Sequence, residues 1–485
     1  MGAIVLQSVD SPRRDLEWRL LVAAKLSKEN IGSVIGKGSV VARINKYSKN
    51  SIYLGRFNSN TARSVSDRKY LKQMSENGTQ IFFLHDEGAL YLKSDYDSAV
   101  RRIYPEEYFS LPFVQKVFFW GDRQRSVFSD FSDHNCKLEV VGAPRLDLCR
   151  SEYSWIDEKT VGTLKSKYGD YILVCSRFAA MNTVKEDPGP LSKRAYQIRR
   201  EGGDKRDKNA VLKFMFEAWS KSAYEYSHFV PLVAYLAIDF PDINFVIRPH
   251  PAENDDFYKE SFCHFDNVFV EKGGDVRPVI RAAKAVIHSE CTTGIEAEIS
   301  GVPNINFRPS LGMLEYEHFS VAGVSEADDG VSDYLALKDW LRKLFLNGFS
   351  HYRGSGHVDD FICNVSGSRQ ASDLIVSSIK NYVLKEAVDS SICNLKYKFS
   401  FVRQALRPKE LLRGIGGKLN RFFQVVSMRK RKDNDLENSK AYCFSEGYIL
   451  SLWESFGGDP QSINISGGVV YTYPEKSSAT VAEGK

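Results

Sequence analysis

The chain has 485 residues, 43% hydrophobic and 26% charged, which excludes a collagen-like repeat or a mostly disordered protein and leaves room for two cores of usual domain size. Its 66 Lys and Arg against 61 Asp and Glu leave a net charge of +5, too slight an excess to indicate a nucleic-acid binder. Eight cysteines include no C-x-x-C pair, so neither a zinc ribbon nor a disulfide framework is readable, and a reducing cytosol fits best.

The apolar stretch Ala3 to Leu6 is too short, and too poor in basic flanking residues, for a secretory signal. It reads as a buried strand, followed by a polar turn and an amphipathic helix from Leu16 to Leu26. The unit recurs. Ile31 to Ile35, Gln80 to Leu84, Lys116 to Trp120 and Lys137 to Val141 are further strands. Tyr171 to Ser176 restarts the pattern after a helical stretch, and a Pro- and Gly-containing excursion follows, from Arg177 to Asn209. A long helix over Ala210 to Phe240 leads into strands Asn244 to Arg248, Val268 to Glu271, Ala285 to His288 and Asn304 to Phe307. Short apolar strands alternating with helices predict parallel sheets covered on both faces, in two successive α/β halves. No window approaches the roughly 18 apolar residues of a membrane span. Strand signals stop beyond about residue 380. Lys396 to Lys432 holds twelve Lys or Arg against Glu410 alone, a local +11 that leaves about −6 for the rest.

Ligands of such sheets bind at the carboxyl ends of strands, where the polar motifs fall. Val246-Ile247-Arg248-Pro249-His250-Pro251 delivers an arginine and a histidine into a loop stiffened by two prolines, a pattern suited to an anionic phosphate or to a rigid surface loop. His288-Ser289-Glu290-Cys291-Thr292-Thr293-Gly294 ends a strand and opens a helix. Its hydroxyls and backbone N–H groups suit an anion, while the same pattern fits a plain N-cap at Thr292 or Thr293 with Glu296 closing a capping box. His85-Asp86-Glu87-Gly88 places two acids after a strand, either paired catalytic carboxylates or a solvated turn. Asp15, Glu17, Glu217 and Glu225 compete for that role, Glu217 because it lies near Trp219 in an apolar stretch that would raise its pKa if buried. Gly36-Lys37-Gly38 lacks Walker spacing and reads as a turn. Arg177, Phe178 and Asn182 stand at the mouth of the second half's first strand.

An acid-acid-Gly motif, then His-Pro, then a Ser/Thr-rich turn resembles the bacterial GT-B glycosyltransferases that use CMP-activated sugars, the sialyl- and Kdo-transferase kind. Phe119-Trp120-Gly121-Asp122, Val141-Gly142-Ala143-Pro144-Arg145-Leu146-Asp147, Arg248-Pro249-His250-Pro251 and Cys291-Thr292-Thr293-Gly294-Ile295-Glu296-Ala297 more closely resemble the surface-carbohydrate-biosynthesis proteins related to retaining β-Kdo transferases. The resemblance covers roughly residues 3–380. It implies an α/β GT-B fold, two Rossmann-like domains facing across a cleft, with C-terminal helices. By that resemblance His250 and Pro251, with Arg248 nearby, contact the nucleotide and its phosphate, Ser289, Thr292 and Thr293 hold the phosphate, and Glu296 lies near the ribose or base. Arg177 and Asn182 are added as candidates for the same nucleotide-sugar site. Asp86 or Glu87 supplies the catalytic carboxylate, and in the β-Kdo branch a carboxylate nucleophile makes retention possible, for which Glu217 is a candidate and Glu17 an alternative acid.

The expected domains are an N-terminal acceptor-side domain over 1–165, a nucleotide-sugar-binding domain over 166–380, basic helices over 381–456 and a disordered tail over 457–485. The expected function is transfer of a sugar, Kdo or a related ulosonic acid, from a CMP-activated donor to a surface polysaccharide or lipid-linked glycan. No DxD-type metal motif stands in a suitable loop, so no metal and no cofactor beyond the CMP-Kdo co-substrate is expected. The expected location is cytoplasmic, with residues 396–432 either holding the protein at the inner membrane on anionic lipid or forming C-terminal helices that return across both domains with their basic residues in solvent, and no nucleic-acid partner is expected. A CDP-glycerol-type polyol-phosphate transferase and a catalytically silent GT-B scaffold are the competing readings.

Overall fold

A computed structural model of the chain describes residues 3–472 apart from 10, 46–47, 57–71, 87, 89, 93–95, 105, 132–135, 184–204, 310–318, 322–329, 348–357, 359–360, 387, 389–444 and 467–468. The strands are β1 (Ile4–Val9), β2 (Gly32–Lys37), β3 (Ile52–Gly55), β4 (Gln80–Leu84), β5 (Leu90–Leu92), β6 (Val114–Phe119), β7 (Lys137–Val140), β8 (Tyr171–Cys175), β9 (Asn244–Arg248), β10 (Val268–Val270), β11 (Ala285–His288), β12 (Asn304–Asn306), β13 (Phe319–Val321), β14 (Ile463–Ser466) and β15 (Val469–Thr472).

The chain divides into two units, the first made of 1–88, 101–147 and 367–485 and the second of 89–100 and 148–366. The first unit's sheet runs β14-β15-β2-β1-β3-β4-β6-β7. β1 to β4, β6 and β7 pair in parallel, and β15 joins β2 antiparallel. The chain leaves β1 on one side for β2 and on the other for β3, so the switch in strand order lies at β1 and β3. Helix Pro12–Lys28 has Pro at its first turn, Asp15 near its positive end and Lys25 and Lys28 near its negative end, each matched to the helix dipole. Its Leu20 to Ala24 face is buried.

Two boundaries differ from expectation. The units part at residue 147 rather than 165, and helix Ala371–Lys385 belongs to the first unit. Asp147 caps that helix through the N–H groups of Ala371 and Ser372 at 3.0 and 2.8 Å, while Lys25 reaches Gln370, Ser372 and Asp373 at 2.6–2.8 Å. The expectation of disorder over 457–485 is corrected for 460–472, where a short 3₁₀ turn and the β14–β15 hairpin extend the first sheet. Ser33 N–H donates to Thr472 Oγ1 at 3.0 Å across that junction. Apolar Val469, Val470 and Tyr471 are buried there, which is why so polar a segment orders. The basic segment 396–432 lies outside the described residues. Among the described residues no helix is long and apolar enough to cross a membrane.

The second unit's sheet is all parallel, in the order β10-β9-β8-β11-β12. Its side chains alternate faces as a pleated strand requires. Ile172, Val174, Phe245, Ile247, Ala285 and Ile287 pack with Leu232, Val233 and Leu236 of helix Lys205–Asp239 and with Leu337 and Leu341. Leu173, Cys175, Val246 and Val286 turn the other way, onto Leu164, Val279, Ile280 and Ala297. Burying each such side chain contributes about 1.5–3 kcal/mol. The second unit is therefore a doubly covered, Rossmann-like α/β sheet, and the first unit's parallel strands alternate with helices in the same Rossmann-like way.

Candidate functional site

In the second unit the order of strands reverses between β8 and β11, the position where open α/β sheets hold ligands at their carboxyl ends. The register places Arg248, Cys175, His288 and Asn306 in one row across four strands. Pro249-His250, Ser176-Arg177, Ser289-Glu290 and Phe307-Arg308 therefore leave the sheet at a common edge.

Glu253 holds two of these loops together. Its fully buried carboxylate accepts from Phe178 N–H at 2.7 Å, His250 N–H at 3.2 Å, Ser176 Oγ at 2.9 Å and Tyr258 OH at 2.6 Å. Burial pushes its pKa up against those donors. Asn182 adds a second brace, exchanging hydrogen bonds with the Asn254 backbone at 2.8 and 3.1 Å. His250 is thereby presented at the surface, its Nδ1 accepting from Ala252 N–H at 3.2 Å, with Pro251 exposed beside it. Arg248 turns elsewhere. Its guanidinium donates to Gly274 O at 2.8 Å and Glu271 O at 3.5 Å, bracing the turn after β10.

The β8–β11 edge carries a cluster of ion pairs that the motif reading did not assemble. Arg177 Nη2 meets Glu225 at 2.9 Å and Glu290 at 3.2 Å; Lys221 meets Glu290 at 2.9 Å and Glu225 at 3.3 Å; Arg308 meets Glu290 at 3.1 Å. Glu290 has φ +43°, a left-handed conformation that costs a non-glycine residue about 1–2 kcal/mol. Burial lowers the Lys221 pKa while the two glutamates oppose that shift. The sequence signal was present: Lys221 and Glu225, four apart on a helix, share a face.

Several polar atoms along this edge are buried without a partner among the described residues: Arg177 Nε, His288 Nδ1, Ser289 Oγ and Asn306 Nδ2. Buried polar groups are almost always satisfied, so such a concentration marks where a polar ligand or ordered water belongs. Burial drops the His288 pKa to about 4. The ring is neutral near pH 7, and with Nε2–H donating to Asn304 Oδ1 at 3.3 Å its Nδ1 is a lone-pair acceptor.

Thr292 makes no side-chain cap bond to helix Thr293–Ile299, so the plain N-cap reading of that residue is not realised. Thr293 is buried and its Oγ1 lies 3.1 Å from Cys291 Sγ. Glu296 is buried in the helix's first turn. A Cβ on Gly294 would sit 2.5 Å from Nε2 of the buried His288 ring. Gly294→Ala is expected to cost about 1–3 kcal/mol by overpacking, read as a lower urea midpoint; an unchanged midpoint would show that the ring relocates freely.

In the first unit the β1–β3 switch holds a second polar cluster. Asp86, buried after β4, receives Arg19 Nη2 at 3.2 Å and Arg56 Nε at 3.5 Å. Arg19 Nη1 also donates to Leu54 O at 3.2 Å. Burial raises the Asp86 pKa to about 6, against Arg19 and with the help of neighbouring Asp15. Burial also disfavours the charge of Asp15, but Arg14 at 2.7 Å and Ser11 N–H at 2.8 Å hold its pKa below the usual value. Two adjacent carboxylates are thus pushed apart, one fixed as an anion and one able to exchange a proton near neutrality. A small cavity beside Asp86 is lined by Trp18, Leu84, His85, Trp120, Pro144 and Arg145. Gly88 seats the turn, since a Cβ there would lie 2.7 Å from the Trp120 ring, whose Nε1–H donates to His85 O at 2.9 Å.

The other sequence candidates fall differently. Glu87 lies outside the described residues. Glu17 is buried and accepts from Tyr448 OH, tying helix Pro12–Lys28 to helix Glu446–Ser455. Glu217 is not buried in an apolar pocket: it is half-exposed, 3.7 Å from Lys213 on its own helix, and Trp219 beside it is exposed.

No family model matches the sequence, and no curated protein does. Solved structures align with the chain at low identity. The UDP-GlcNAc 2-epimerase of Methanocaldococcus jannaschii aligns over 78% of this chain and 99% of its own, at 12% identity and a TM-score of 0.44. That of Neisseria meningitidis aligns over the same shares at 12% identity and 0.46. The wall teichoic acid polymerase TagF aligns over 80% of this chain and 90% of its own, at 11% identity and 0.44.

Proposed function

We propose that the chain is a GT-B glycosyltransferase that moves a sugar from a nucleotide-activated donor to a surface polysaccharide or lipid-linked glycan, with CMP-Kdo or a related CMP-ulosonic acid as donor. The observation that supports this reading is the β8–β11 edge, where cations, hydroxyls and unpartnered buried polar atoms converge at a Rossmann switch point. A CMP leaving group already has a low-pKa phosphate, so it needs charge stabilisation more than a strong general acid. His250, Arg177, Ser289 and Thr293 are assigned that task, and Asp86 in the first unit is assigned to accept a proton from the acceptor hydroxyl. The transfer is proposed to be metal-independent.

Purified protein with a glycan acceptor is expected to release CMP from CMP-Kdo, in EDTA as in buffer, and His250→Ala is expected to slow release at least tenfold. Release from CDP-glycerol alone would replace this reading with a polyol-phosphate transferase. Release from neither, with His250→Ala fully functional in cells, would leave a binding scaffold.

A further inference from the structure

The cluster at the β8–β11 edge has more structure than a phosphate site needs for attraction alone. Arg177, Lys221 and Arg308 pair with Glu225 and Glu290, three cations on two carboxylates. Lys221, Glu225, Glu290 and Arg308 are all buried, and Arg177 is the one member of the five that reaches the surface, with a quarter of its side chain exposed. Both glutamates take the same atom of Arg177, Nη2. Nε is left buried and without a partner among the described residues, an unmet donor beside the held Nη2 that a ligand entering this edge would satisfy. Ser289 Oγ, 1% exposed as a residue and likewise unpartnered, precedes Glu290 in the same loop. Glu290 itself occupies a strained backbone conformation, and such strain persists where the surroundings over-determine it.

We propose that Glu290, with Glu225 on the long helix, is a positioning residue that clamps Arg177 Nη2 and so presents the Arg177 guanidinium, together with Ser289 Oγ, to an oxyanion, the phosphate of the donor. This deepens the donor-site reading above and rests on it. Glu290 touches no substrate in this scheme; it acts through Arg177. Planar guanidinium donors recognise phosphate by orientation as well as by charge, so freeing the plane weakens binding even though removing a carboxylate makes the edge more positive.

Isothermal titration of the full chain with CMP and with inorganic pyrophosphate tests this. Arg177→Met is expected to abolish measurable binding of both, and Glu290→Gln to weaken both about tenfold with native circular dichroism. The double variant Glu290→Gln/Lys221→Met restores the charge balance and is expected to stay weak. Recovery of wild-type affinity in the double variant would show that Glu290 only balances charge and would overturn the proposal, as would unchanged affinity in Glu290→Gln or Arg177→Met. If Glu290→Gln does not fold, Glu225→Gln removes the other acid on Nη2 and is read the same way. Pyrophosphate binding without CMP binding, lost in the variants, keeps the oxyanion clamp and removes the nucleotide-donor reading. Wild-type protein that binds neither removes both.

Discussion

Asp86→Asn is expected to lower the rate of transfer about 10²–10⁴-fold, the usual contribution of a positioned general base, with CMP affinity unchanged. The side chain is nearly isosteric and keeps an acceptor for Arg19, so the loss reports the missing proton acceptor. Its pKa of about 6 sets the pH dependence. Wild-type kcat/KM should rise with pH through about 6 and level above it, because the carboxylate is the active form. The same shift has a stability counterpart of opposite sense: the folded state holds this proton more tightly than the unfolded chain, so the group's contribution is full below its ordinary value of 3.8 and is lost as pH rises through about 6. CMP release measured from pH 5 to 9 checks the rate. An Asp86→Asn enzyme at full speed, or a wild-type profile flat through pH 6, would remove Asp86 from catalysis.

Glu253→Ala is expected to cost about 2–4 kcal/mol, because each buried donor left without its acceptor costs about 1–3 kcal/mol and relaxation recovers part of the sum. Four donors from three segments converge on that carboxylate, two of them backbone N–H groups in the loops after β8 and β9. Truncation leaves the donors of Ser176, Phe178 and Tyr258 buried without their acceptor, and unties the His250 loop from the Arg177 loop. Urea unfolding should show the loss, and CMP binding should fall with it at temperatures where the variant stays folded. Stability within 1 kcal/mol of wild type would mean that water replaces the carboxylate and the two loops hold themselves.

Much of this was readable from local pattern. Gln80–Leu84, Asn244–Arg248 and Ala285–His288 match the predicted strands because each is a short apolar run cut off by turn-forming residues. The same rule passed over Ile52–Gly55, four residues long, and the Ile463–Thr472 hairpin, whose Ser-Gly-Gly centre is a turn signal that its polar surroundings masked. Asp86, His250 and Ser289 stand just beyond the ends of β4, β9 and β11, and Thr293 opens the helix that follows β11, as the local pattern predicts. Arg248 was placed correctly in the chain, but the direction of its side chain depends on the turn after β10, which no local pattern encodes. The importance of Glu253 and Glu290 is nonlocal in the same sense. Glu253 matters through partners in two other loops, and Glu290 through a helix some seventy residues upstream.

Because β15 supplies the neighbour of β2, the first unit is built from both ends of the described chain, with the second unit's 148–366 lying between them in sequence. During synthesis the middle segment emerges whole, while Gly32–Lys37 waits for more than 400 residues with one backbone edge uncovered. An uncovered strand edge invites pairing with other chains. A ribosome stalled late in the message would therefore release a product whose second sheet is complete but whose first sheet carries a sticky border, so late truncation threatens solubility before it threatens the second unit.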